Sequence, residues 1–234
     1  MKDVPVRPPV VILASQSPRR AAILDALGVH YAVSVSDAEE AETFPAVDQS
    51  TNMPHVSVPR TEHPALRAWR KGSHIADLHP DMIVIAADTI VVCDGMVLNK
   101  PTDADDASRM LRLLSGRTHM VYTGLALFAP SQLPRYVVEQ SNVEMRILSD
   151  DEITAYVRTG EPMDKAGAYG IQGIAGTLVQ AVTGSFTNVV GMPMQATVNL
   201  LSIAGVHVAQ TIDAAYAQWR TAHPLLRTEL GREP

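Results

Sequence analysis

Cations in the first turn of a helix oppose its dipole, so two arginines there need an explanation. The chain carries them in Ser15-Gln16-Ser17-Pro18-Arg19-Arg20, between an apolar run from Val10 to Ala14 and the helically spaced Ile23, Leu24 and Leu27. A helix N-terminus offers unpaired N–H groups and partial positive charge, both suited to phosphate, and an arriving anion makes sense of Arg19 and Arg20. A capped helix with solvated arginines accounts for them too, and the segment alone leaves both readings open. Asp88 is the second candidate. It follows six apolar residues, Met82 to Ala87, and stands at the expected carboxyl end of a central strand. Clefts form at such strand ends in α/β sheets, and carboxylates there hold Mg²⁺ or a catalytic water. A turn cap is the alternative, but a carboxylate that cuts into so apolar a run points to function.

Other residues speak only in company. Lys71 on a predicted helix and Lys100 after a hairpin could each neutralise phosphate oxygens, though lone lysines are usually just solvated. Glu39 and Glu40 are adjacent acids in a polar loop, and they matter only if a second carboxylate near Asp88 shares a metal with them. The run Asp164-Lys165-Ala166-Gly167-Ala168-Tyr169-Gly170-Ile171-Gln172-Gly173 packs opposite charges, small residues and an amide into ten positions. Small residues let a backbone approach a ligand closely, and Tyr169 and Ile171 argue against a simple linker. Cys93 reads as a small buried hydrophobe rather than a nucleophile.

The elements that must hold these groups alternate between strand and helix. Val10 to Ala14 is a buried strand, followed by a helix with Ser17 as N-cap, Pro18 at its first position and Gly28 closing it. Tyr31 to Val35 reads as a strand, Ser36 to His63 as a long polar loop, and Pro64 to Leu78 as a helix carrying Arg67, Arg70 and Lys71. The Met82 to Ala87 strand stops at Asp88-Thr89, resumes over Ile90 to Cys93 and turns at Asp94-Gly95. Thr102 is expected to cap a helix that ends at Gly116. Strands over His119 to Phe128 and Tyr136 to Leu148 pair through the Ala129 to Pro134 loop. Ser149-Asp150-Asp151-Glu152 is a capping box for a helix to about Arg158. A strand from Leu178 to Val182 and a helix from Pro193 to Ile203 follow. The class is α/β with a mixed sheet.

Composition narrows the function. The formal net charge is −6, from 19 Lys and Arg against 25 Asp and Glu, which argues against a nucleic-acid polymer as partner. One cysteine cannot form an intrachain disulfide. No apolar stretch approaches the ~20 residues of a membrane helix, and the N-terminal residues lack a signal-peptide core, so a cytoplasmic protein with no membrane partner is expected. His and Cys spacing gives no zinc signature, and no G-x-x-x-x-G-K-[ST] loop is present for a kinase-like nucleotide binder.

Five segments together resemble the Maf family of nucleotide pyrophosphatases. They are Leu13-Ala14-Ser15-x-Ser17-Pro18-Arg19-Arg20, Glu39-Glu40, Ala87-Asp88-Thr89 with Gly95 and Lys100-Pro101, Leu114-Ser115-Gly116-x-x-His119-x-Val121-x-Thr123, and Gly160-Glu161-Pro162-x-Asp164 through Gly173. They fall in the family's order over roughly residues 10 to 204. The uninterrupted Ser-Pro-Arg-Arg and the 164–173 run look like the branch acting on dTTP and UTP rather than the one acting on 7-methyl-GTP.

The resemblance implies an elongated α/β, inosine-triphosphate-pyrophosphatase-like (Maf/Ham1) fold with two lobes around a central cleft, and a homodimer. It implies a nucleoside triphosphate as substrate, cut to monophosphate and pyrophosphate with Mg²⁺ or Mn²⁺. Carried over by position, Arg19, Arg20, Lys71 and Lys100 hold the triphosphate. Glu40 and Asp88 bind the metal and position or deprotonate the attacking water. Gln172 lines the cleft and Ser15 contacts phosphate or nucleoside. The family domain spans residues 1–205, with 206–234 a partly helical C-terminal extension. The chain departs from the pattern between Ala41 and Gly72, where Arg67-Ala68-Trp69-Arg70-Lys71-Gly72 replaces the usual Leu-Ala-x-x-Lys-Ala; Lys71 is matched by standing 17 residues before Asp88. The family's name also suggests a nucleotide-binding regulator of septum formation in which catalysis is not essential.

Overall fold

The computed structural model of the chain describes residues 11–35 and 54–223. Its organising strand is β3 (Ile83–Cys93), buried at every position but Thr89. One edge of β3 pairs antiparallel with β5 (Thr118–Phe128) without a break from Val84 to Val92. The other edge is shared. β1 (Val11–Leu13) runs parallel to Ile83–Ile85, while β4 (Met96–Leu98) folds back beside Val91–Cys93. The Asp94-Gly95 turn makes that hairpin, with both residues at positive φ (50° and 76°) as a tight turn of this kind requires. Between β1 and β4 the strand edge is forked, and residues 86–90 have neither strand beside them.

The fork corrects one expectation. Asp88 does not end a strand; it sits in the middle of one, because the unbroken pairing with β5 carries the ladder through positions 88 and 89. Among the described residues the sheet has seven strands, in the order β2-β1-β3-β5-β6-β7 with β4 beside β3. Here β2 is Tyr31–Val33, β6 is Arg135–Met145 and β7 is Val179–Thr183. β1 is parallel to β2 and β3 and the remaining pairings are antiparallel, so the sheet is mixed as expected.

Strand alternation divides the core in two. Ile83, Ile85, Ala87, Val91 and Cys93 face the larger core, built with α1 (Pro18–Ala26), α3 (Ala104–Leu114), α4 (Asp150–Val157), α5 (Phe186–Val190), α6 (Met194–Ile203) and α7 (Ile212–Thr221). Val84 and Ala86 face the opposite side, where α2 (Pro64–Leu78) packs with Ala68 and Ile75 against Ile12, Ala126 and Phe128. Asp88 shares the even register and so looks toward α2.

That helix lies close on the sheet because two glycines let it. A Cβ on Gly124 would stand 2.2 Å from the Ala65 nitrogen, and one on Gly72 would stand 2.4 Å from Phe128 Cε2. Helix ends follow their chemistry. Ser149 and Glu152 form the expected capping box on α4. Ser17 holds the N-cap position of α1, though its side chain makes no capping bond. The cap of α3 is Asp103, not Thr102: its Oδ1 accepts from Asp106 N at 2.8 Å, and a carboxylate also answers the helix dipole. α7 packs on α1 and α6 and drives Trp219 to 1% exposure in the larger core. Among the described residues no helix is long and apolar enough to cross a membrane.

Gly124→Ala should push the first turn of α2 off the sheet. Overpacking of this kind costs about 1–3 kcal/mol, read in thermal denaturation as a Tm lower by roughly 2–12 °C for a domain of this size. An unchanged Tm would mean that α2 can slide without cost.

Candidate functional site

The fork in the sheet opens into a cleft of about 1410 Å³, ample for a small phosphorylated ligand. Its walls come from the β1–α1 turn, α2, the middle of β3 with residues 99 and 100, and the stretch from Glu161 to Gly173. Seven Lys and Arg side chains line it against four Asp and Glu. The described lining is therefore cationic in a chain whose formal charge is −6, which marks the cleft as an anion site.

Asp88 is at the centre. It is 5% exposed, and among the described residues it is the single buried acidic side chain. Lys71 Nζ, one turn along α2 from Arg67, donates to Oδ1 at 2.6 Å. Arg67 Nε lies 3.2 Å from Oδ2 as an ion pair. That approach is off the line a hydrogen bond needs, for Oδ2 is buried with no hydrogen-bond donor among the described residues. Both contacts follow from geometry already described: an even-register side chain on β3 meets residues four apart on one helix face.

The β1–α1 turn supplies the next wall. Ser15 Oγ accepts from Ser17 N at 3.2 Å and from Arg20 Nη1 at 2.9 Å, while Arg20 Nε donates to the Gly191 carbonyl at 3.0 Å. Arg20 is thus braced at the helix mouth rather than free in solvent. Arg19 reaches across the cleft to Asp164, Nη1 to Oδ2 at 3.3 Å. Burial works against the Asp164 carboxylate, but the Lys165 ammonium and the Arg19 guanidinium outweigh it and hold its pKa below the usual value.

The stretch from Glu161 to Gly173 folds with short 3-10 turns at Glu161–Asp164 and Ala166–Ala168. Gly167 and Ala168 both take positive φ (69° and 59°), which is strained at the alanine. Tyr169 anchors the turn: its hydroxyl lies 2.7 Å from Nε2 of His119 on β5, with the rings edge to face. Lys165 then lies flat over Gly170, where a Cβ would stand 2.5 Å from its Cε, and Nζ donates to the Glu161 carbonyl at 2.5 Å. Gln172 lines the same cleft, and its Oε1 is buried without a hydrogen-bond partner among the described residues.

The structure therefore gathers Ser15, Arg19, Arg20, Lys71, Asp88, Lys100 and Gln172 around one cleft, with Lys100 exposed at its mouth. Glu39 and Glu40 lie outside the described residues. Arg67, Lys165 and Glu161 join the lining and were not among the expected site residues. The signal for Arg67 was available, since it stands four residues before Lys71 on one helix face. Among the described residues no three His, Cys, Asp or Glu side chains gather as a metal-ligand set. The group that fits a divalent cation is Oδ2 of Asp88, a hard oxygen on a residue lining the cleft and without a hydrogen-bond donor among the described residues.

The chain is similar to known proteins. A family model described as Maf-like protein matches residues 10–204. A protein named dTTP/UTP pyrophosphatase from Moorella thermoacetica is 43% identical over 203 residues, 85% of this chain and 96% of its own. Another of that name from Myxococcus xanthus is 42% identical over 197 residues, covering 84% and 93%. Among solved structures, a HAM1 protein from Coxiella burnetii aligns over 91% of this chain and 98% of its own, at 14% identity and a TM-score of 0.38.

The His119–Tyr169 pair carries a pH prediction. Burial lowers the pKa of His119 to about 4, so the folded protein keeps the ring neutral where the unfolded chain would protonate it. The unfolded state binds more protons between that value and the ordinary one near 6.5, so stability is full above about pH 6.5 and falls as pH drops toward 4. At pH 5 the loss from this residue is on the order of 2 kcal/mol. Urea denaturation at pH 7.5 and pH 5 should show that slope in the wild type and a flatter one in His119→Gln. Equal slopes would remove His119 from the account.

Proposed function

Because the chain belongs to the Maf family, we infer that it is a nucleoside triphosphate pyrophosphatase, cutting dTTP or UTP to the monophosphate and pyrophosphate. The observation that carries this reading is the cleft itself: a buried carboxylate among cations, at the mouth of a helix, in an otherwise acidic chain.

Water attacks the α-phosphorus, the bond to the oxygen bridging toward the β-phosphorus breaks, pyrophosphate leaves, and one proton of the water is released. Charge in that transition state is spread over phosphate oxygens, so the protein contributes mainly position and electrostatic stabilisation. In our reading Arg19 and Arg20 grip the triphosphate at the N-terminus of α1, with Lys71 and Lys100 opposite. The bonds from Arg20 to Ser15 and Gly191 support this, because a tethered guanidinium needs no reorganisation when the anion arrives. Ser15 contacts phosphate or nucleoside, and Gln172 offers its buried Oε1 to the nucleotide.

Asp88, together with Glu40, orients or deprotonates the attacking water. With a divalent cation, Mg²⁺ or Mn²⁺, held by the same two carboxylates, the site gains Lewis-acid neutralisation of the phosphate oxygens. The fork in the sheet supports this role for Asp88: a carboxylate held in mid-strand has little freedom to swing away. The enzyme acts in the cytoplasm as a homodimer in this reading.

Asp88→Asn keeps the shape and removes the charge. Pyrophosphate release from UTP should fall by roughly 10²–10³ or more, with the far-UV circular dichroism unchanged. Chromatography of the wild-type products should give UMP and pyrophosphate. UDP and phosphate, or wild-type turnover by Asp88→Asn, would contradict the assignment.

A further inference from the structure

Asp88 is the carboxylate a divalent cation would seek, yet its oxygens already face two cations. Lys71 Nζ donates to Oδ1 at 2.6 Å, and Arg67 Nε stands 3.2 Å from Oδ2 without an aligned hydrogen bond. Arg67 is fixed in that place from its far side. Its Nη1 donates to Asn99 Oδ1 at 2.9 Å and to Glu62 Oε2 at 3.2 Å, and the Asn99 carbonyl in turn accepts from Gly167 N at 3.2 Å. The guanidinium is thus clamped between two walls of the cleft and paired with two carboxylates, Glu62 on one side and, on the other, the Asp88 oxygen that has no hydrogen-bond donor among the described residues.

We propose that Arg67 screens Asp88 from free divalent cations, so that the cation enters the site as a complex with the nucleotide's phosphates and not before it. The inference rests on the pyrophosphatase reading for its substrate, and on the structure for its electrostatics. A bare dication reaching Oδ2 would sit within a few ångströms of a guanidinium and an ammonium, in a cleft whose described lining already carries more cations than acids. Each like-charge contact at that range is unfavourable, and partial burial weakens solvent screening. A triphosphate reverses the balance. Its charge neutralises the arginines and lysines first, and Oδ2 becomes an attractive oxygen for a cation that arrives already bound to phosphate. Arg67 touches the carboxylate and acts through it, so it is a positioning residue that sets the order of binding.

The test measures Mn²⁺ alone, by electron paramagnetic resonance titration of nucleotide-free wild type, Arg67→Leu and Arg67→Lys. A charged neighbour alters the proton affinity of an aspartate by about 10- to 1000-fold, and the same reasoning applied to Mn²⁺ gives about tenfold tighter binding in Arg67→Leu. Arg67→Lys should stay near wild type. Adding a UTP analogue with a non-hydrolysable α,β linkage should tighten Mn²⁺ binding in the wild type and shrink the difference between the variants. If Arg67→Leu melts early, Arg67→Gln, which can still donate to Asn99, takes its place. Wild type and the neutral variant binding Mn²⁺ alone with equal affinity would overturn the proposal. Pyrophosphate release from UTP, assayed on the same samples, fails separately if the functional reading is wrong, because the Mn²⁺ comparison requires no turnover.

Discussion

An aspartate set in the middle of a buried strand must be compensated, and much of the architecture answers that demand. Taking a carboxylate out of water is costly unless a partner meets it with good geometry. The partners of Asp88 are Lys71 and Arg67, both on α2. The helix can deliver them only by lying almost on the sheet, and the absence of side chains at Gly124 and Gly72 permits that approach. Among the described residues the same strand has no strand beside that edge at this point, because one end of the edge goes to β1 and the other to β4.

Around that charge the molecule has assembled a local field opposed to its overall one. A net negative chain repels free nucleotide weakly at long range, while cations in a recessed groove attract it at short range, where the low-dielectric walls concentrate the field. Several of the cations are tied down. Arg20 is tied to Ser15 and Gly191, Arg19 to Asp164, and Lys165 to Glu161 and Asp164. Tethering of this kind spends side-chain entropy during folding, so that less is lost when a ligand binds.

Much of this was legible in the chain. Helical spacing marked Pro64 to Leu78, and the structure has α2 over those residues. The capping box of α4 and the Asp94-Gly95 hairpin also stood in plain view, because their chemistry is local. What stayed hidden depended on partners far along the chain. Asp88 looked like a strand end because a carboxylate interrupts an apolar run, whereas β5 supplies a pairing edge that continues the strand past it. The α3 cap was one residue away from Thr102 because two plausible cap residues stand side by side, and the carboxylate wins. The spacing of Arg67 and Lys71 shows that they share a helix face, but that the face meets an aspartate depends on a strand far along the chain. Glu40, which the resemblance pairs with Asp88, lies outside the described residues.

The last helix has a bearing on all of this. α7 packs behind α1, the helix that presents Arg19 and Arg20, and its Trp219 lies 6.1 Å from Phe186 and 4.8 Å from His223, ring centre to ring centre. His223 itself reaches the rim of the cleft. α7 therefore backs the helix that carries two of the cleft's arginines, without contributing an arginine or lysine to the described lining itself. Support for that helix and the arginines it carries thus come from stretches far apart in the chain, so a change in α7 can reach the cleft without touching any residue of the β1–α1 turn.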